Sequence, residues 1–91
     1  MTFEDYQIET NDMPLYDDPA IGLAGEVGEV LELIKKDRRK GERRKPIDKD
    51  KLEKELGDVL WYLSAIATDY DIDLDDVATT NILKLQKRHA A

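Results

Sequence analysis

The chain has 91 residues, 41% hydrophobic and 38% charged, with a formal net charge of −7 and no cysteine. That balance disfavours general attraction to nucleic acid or to an anionic membrane, and it excludes a disulfide framework, a thiolate nucleophile and a Cys-type zinc site. No apolar run approaches the roughly 20 residues of a membrane span. The N-terminus, MTFEDYQIET, has no basic n-region and no apolar core, so a cytoplasmic protein is expected, with residues 1–91 forming a single domain.

Thr2 reads as the N-cap of a short first helix over about 3–10, with Glu4 and Asp5 set against the helix dipole. Phe3 and Tyr6 would fasten that helix to the rest. Residues 11–17, holding Asn11, Asp12, Pro14 and Asp17, read as a connection. Asp18 followed by Pro19 is a cap and first-turn proline, and helix two should run to about Lys40, before Gly41. Pro46 and Asp48 restart the chain as helix three, to about Tyr70. Asp73 should cap helix four, with Asp75 and Asp76 in its first turn and an end near His89. No stretch alternates as a strand would. The chain therefore reads as an all-α four-helix bundle with two long central helices. So short a chain cannot cover the apolar faces of such helices, and homo-oligomerisation is the expected solution.

One pattern is written twice. LAGEVGEVLELI at 23–34 and LEKELGDVLWYL at 52–63 align at an offset of 29 residues. Glu26 matches Glu55, Gly28 matches Gly57, and Glu29 matches Asp58. At about 100° per residue, each acidic pair lies about 60° apart on one edge of an apolar stripe. Those stripes are Leu23, Val27, Val30, Ile34 and Leu52, Leu56, Val59, Leu63. Like charges at i, i+3 are mildly destabilising, and each mid-helix glycine costs about 1 kcal/mol relative to alanine. A lone acidic pair on a helix is usually a solvated face; its duplication, glycine included, points to a site. Gly28 and Gly57 would let a backbone, metal or ligand approach closely.

Four converging carboxylates, without cysteine and nearly without histidine, suit a hard divalent cation such as Mg²⁺ or Mn²⁺. Such a site can neutralise a polyphosphate and activate a water, with a free carboxylate as general base. The di-iron carboxylate bundles need Glu-x-x-His motifs, and the sole histidine, His89, lies outside both acidic motifs.

On helix four, Asn81, Lys84 and Arg88 form a polar stripe able to hold phosphate oxygens, or simply a solvated face. Trp61 falls off the main stripe of helix three, where a subunit contact or a base-stacking role fits. Tyr62, close to the acid edge, is either packing or support for the acids. Residues 35–45 (KKDRRKGERRK) hold eight of the fourteen basic residues, and the remainder of the chain carries a net −13. This stretch suits a solvated helix end and loop, cations directed at an anionic ligand or an acidic neighbouring subunit, or, least well, a nucleic-acid patch.

LAGEVGEV, the basic spacer and KLEKELGDVLWYL together resemble the MazG-like all-α nucleoside triphosphate pyrophosphohydrolases. The signature ExxE, spacer, ExxD is met by Glu26-x-x-Glu29 and Glu55-x-x-Asp58 with 25 residues between. DDVATTNILKLQKR looks like the third segment of that family. The resemblance runs from about Phe3 to Arg88. It implies Mg²⁺-dependent cleavage of an NTP or dNTP between the α and β phosphates, giving a monophosphate and pyrophosphate. It also implies Glu26, Glu29, Glu55 and Asp58 as metal ligands, Asn81, Lys84 and Arg88 as phosphate contacts, and dimers or dimers of dimers. Gly25 stands where many relatives carry another acid. The rival expectation is a non-enzymatic helical module that holds a structural ion or docks a partner.

Overall fold

The structure, a computed structural model, describes residues 1–13 and 18–90. Its helices are α1 (Phe3–Asn11), α2 (Pro19–Asp37), α3 (Lys49–Asp69) and α4 (Leu74–His89), with a short 3-10 helix at Gly41–Arg43. No strand occurs among the described residues, as the sequence leads one to expect. The expected connection at 11–17 is seen at Asp12 and Met13; residues 14–17 lie outside the described residues. Two compact units emerge: residues 15–63, and residues 1–14 with 64–91.

The 15–63 unit is a hairpin of α2 and most of α3. Asp18 starts α2 by accepting from Ala20 N–H at 2.9 Å, with Pro19 as the first helical residue. Asp48 does the same for α3, its Oδ1 accepting from Asp50 N–H at 3.0 Å and Lys51 N–H at 3.3 Å. α2 stops at Asp37 rather than near Lys40. The returning chain claims the helix end. Lys45 N–H donates to Lys36 C=O at 3.0 Å, and Arg44 Nε to Asp37 C=O at 2.8 Å. The Asp37 carboxylate takes Arg44 Nη2 at 3.0 Å and Ile47 N–H at 3.1 Å. Gly41, at φ 72°, supplies the left-handed step that turns the chain.

The hairpin is antiparallel: Gly22 lies against Tyr62, and one turn further on Glu26 meets Asp58. Its inner face is rotated from the expected stripes. Leu23, Glu26, Val30, Leu33 and Ile34 of α2, and Leu52, Glu55, Asp58, Val59 and Tyr62 of α3, are half-buried or buried, whereas Val27, Leu56 and Leu63 are exposed. The acids thus sit within the packed face instead of along its rim.

In the other unit Gln7 of α1 acts as a clasp. Its amide donates to Thr68 Oγ1 at 3.1 Å and Ile72 C=O at 2.9 Å, and its Oε1 accepts from Leu74 N–H at 2.9 Å. Asp73 occupies the N-cap of α4 without a side-chain bond, and Gln7 satisfies the Leu74 N–H, the first free N–H of that helix. Asp75 accepts from Glu4 N–H at 3.2 Å, beside the Thr2–Asp5 capping box that opens α1. α3 ends in a Schellman motif, with Ile72 N–H on Ala67 C=O at 2.8 Å, Asp71 N–H on Thr68 C=O at 3.2 Å, and Asp71 at φ 56°. Ser64, Ala67 and Leu74 are buried here, and Thr10 bonds Ser64 at 3.0 Å between hydroxyls.

Candidate metal centre

Each residue of the centre is placed by the hairpin register. Gly22 has no side chain, so the Tyr62 ring occupies the space that a Cβ there would fill. That close approach sets α2 on α3 one turn before the acids. Glu26 then projects from α2 toward Glu55 and Asp58, which lie three residues apart on α3 and point back. One carboxylate oxygen from each of the three can be chosen so that all lie within 4.8 Å of one another, and all three residues are half-buried.

Partial burial pushes the Glu26 carboxyl above the ordinary carboxylate range. The negative charges of Asp58, Glu55 and Glu29 push it further in the same direction, as does a side-chain hydrogen bond with Glu55. This is the field expected where anions converge without a counter-charge. No lysine or arginine among the described residues forms an ion pair with the cluster. The donor set is all carboxylate oxygen, it gathers three anions in one half-buried place, and it fits Mg²⁺ or Mn²⁺.

Glu29, the fourth expected ligand, is exposed and stands outside the trio, although its charge is felt at Glu26. The rotated inner face explains this. It is centred between Glu26 and Val30, which leaves Glu29 about 80° round the helix. Gly28 and Gly57 are exposed, and a Cβ at either would meet nothing within 4 Å. The glycine that admits a close neighbour is Gly22. The available signal was its place one turn before Glu26 on the same face.

Trp61 is half-buried, its ring 5.7 Å from that of Tyr62 and tilted by 34°. Its indole Nε1 is buried without an acceptor. In the other unit Asn81 and Lys84 line a groove of about 430 Å³ with Ile72, Asp76, Val77 and Thr80. Arg88, near the end of α4, is exposed and outside that lining.

The fold and this acidic centre define a class of protein. Residues 20–91 match the MazG nucleotide pyrophosphohydrolase domain, and the chain belongs to that family. It is also similar to the Gene 37 protein of Mycobacterium phage L5, with 41% identity over 69 residues. That alignment covers 75% of this chain and 60% of the phage protein. No solved structure matches. No helix among the described residues is long and apolar enough to cross a membrane.

Proposed function

We propose that this chain is a cytoplasmic, divalent-metal-dependent hydrolase that cleaves a nucleoside or deoxynucleoside triphosphate between its α and β phosphates, releasing a monophosphate and pyrophosphate. The observation that carries this is the convergence of Glu26, Glu55 and Asp58 in a half-buried cluster of negative charge, in a chain of the MazG family. Glu26, Glu55 and Asp58 would hold the cation, with Glu29, one turn on from Glu26, as a further carboxylate ligand. A divalent ion there would supply charge neutralisation for the polyphosphate and Lewis acidity toward the attacking water. A carboxylate of the cluster not engaged by metal accepts the proton of the attacking water. Asn81 and Lys84, with Arg88 beyond them, contribute donors to phosphate oxygens, and Trp61 offers a face for the base.

We also take the working form to be a homo-oligomer, supported by the exposure of Ile21, Leu31, Leu56, Leu63, Ile82 and Leu83. Residues 1–91 then act as one domain, with the family match running through both compact units.

A panel of NTPs and dNTPs, each with and without Mg²⁺ and with all products resolved, tests the reaction. Metal-dependent monophosphate plus pyrophosphate is the expected outcome. Diphosphate plus phosphate would move the cleaved bond. Metal-induced stabilisation with no turnover of any nucleotide would favour the non-enzymatic module.

A further inference from the structure

Among the described residues one buried side-chain polar atom goes unused: Trp61 Nε1, which has no acceptor. Orphaned donors of this kind are rare in folded proteins, and each calls for a reason.

The place of Trp61 on α3 supplies one. Trp61 follows Asp58 by three residues, so the two are neighbours on the helix surface. A long helical side chain leans back over the preceding turn, toward the positions three and four residues before it. The position four before is Gly57, and a Cβ there would meet no atom within 4 Å, so the indole does not lie on that side. At about 100° per residue, Asp58 lies between the directions of Trp61 and Tyr62, about 60° from the first and about 40° from the second. Those two rings, on adjacent residues that diverge around the helix, are nevertheless only 5.7 Å apart. The indole is therefore folded across the sector that Asp58 occupies one turn earlier.

Asp58 has few other donors to turn to. Residues 19–31 of α2, PAIGLAGEVGEVL, contain no cation, side-chain amide, hydroxyl or ring N–H. Within about one turn of Asp58 on α3 stand Lys54, Trp61 and Tyr62. Lys54 is exposed and pairs with no member of the cluster, and the Tyr62 ring is committed to the space at Gly22. Glu26 and Glu55 hydrogen-bond each other, an arrangement of two carboxyls that needs a shared proton and that a cation would replace. A carboxylate that ligates a metal is in turn held by a hydrogen bond from a neighbouring donor. Trp61 is the donor left over.

We propose that Trp61 is a positioning residue of the metal centre: when the trio holds a divalent cation, the indole N–H donates to the Asp58 carboxylate and fixes the orientation of that ligand. This rests on the cation site proposed above and adds the group that steadies one of its ligands. The face of the ring stays available to a base, and the N–H edge is turned to the metal ligand.

Trp61 is the sole tryptophan of the chain, so an isotope-labelled sample gives a single indole N–H resonance. Mg²⁺ alone, without nucleotide, is titrated into the full chain while that resonance and the heat of binding are followed. The resonance should move downfield with the same midpoint as the heat, and its exchange with solvent should slow. Trp61→Phe keeps an aromatic ring and removes the donor. Trp61→benzothienylalanine keeps the bicyclic shape as well, with sulfur in place of N–H, and decides the matter if circular dichroism shows Trp61→Phe unfolded. Each should weaken Mg²⁺ binding about tenfold, the size expected for loss of a partner to a metal ligand, with helicity unchanged. Mg²⁺ bound by the wild type with the indole resonance unmoved, or bound equally well by the folded variants, would overturn the role of Trp61 and leave the cation site standing. A resonance that moves only when nucleotide is added would give the N–H to the substrate and likewise overturn it. A wild type that binds no Mg²⁺ would overturn the cation site and this inference together.

Discussion

Gly22 and Tyr62 share one space: the ring lies where any other residue at 22 would place its Cβ. This contact sets the register that brings Glu26 to Asp58 one turn later. Gly22→Ala should therefore destabilise the fold by about 1–3 kcal/mol through overpacking and weaken divalent-metal binding as well. Denaturant melts and a Mg²⁺ titration check both. The same substitution at Gly57, where a Cβ meets nothing, should leave the fold intact or stabilise it by up to about 1 kcal/mol through helix propensity.

Gln7 joins three elements through one amide. Gln7→Ala leaves the Leu74 N–H and the Ile72 carbonyl without their protein partner. Water reaches part of this site, so a loss of about 1–2 kcal/mol is expected. Hydrogen exchange should show the first turn of α4 opening before the rest of that helix.

Asp71 closes the Schellman motif of α3 with a left-handed backbone that glycine adopts without strain. Asp71→Gly should raise stability by about 1 kcal/mol. A decrease on chemical denaturation would show that the aspartate side chain contributes something the backbone does not.

The raised carboxyl of Glu26 gives stability a pH dependence of definite sign. The folded state binds this proton more tightly than the unfolded chain does. In the absence of divalent metal, its contribution is therefore most favourable below the ordinary glutamate range. It declines as pH rises through the window between that range and the raised folded value, then levels off. Metal needs the deprotonated form, so metal affinity should fall as pH drops through the same window. Melts of wild type and Glu26→Gln, stepped in pH with and without Mg²⁺, isolate the effect. The stability difference of wild type minus variant should fall with rising pH when metal is absent. A difference that rises would contradict the convergence of charge at Glu26.

Local signals announced most of the helices. Thr2, Asp18 with Pro19, and Asp48 each start a helix where a cap residue precedes it. The duplicated motif likewise singled out Glu26, Glu55 and Asp58, whose carboxylates come together in the structure, because spacing on two helices determines which acids can face each other. What the sequence hid was tertiary. The end of α2 at Asp37 depends on Arg44 folding back seven residues later. Asp73 stands at the N-cap without a side-chain bond, and the Leu74 N–H beside it is taken by Gln7, 67 residues upstream. The inner faces of α2 and α3 are turned by the Gly22–Tyr62 contact, which exposes Leu56 and Leu63 and leaves Glu29 outside the trio. A rotation of that size lies below what periodicity resolves, because an apolar stripe is itself about 100° wide.

The most direct measurement is calorimetric titration of Mg²⁺ and Mn²⁺ into the wild type and into Asp58→Asn and Glu55→Gln, with helicity followed in parallel. Saturable binding by the wild type is predicted, weakened at least about tenfold in each variant while helicity is unchanged; that corresponds to a loss of about 1.4 kcal/mol or more. Equal binding by all three proteins, or none by any of them, would contradict a cation site built from Glu26, Glu55 and Asp58.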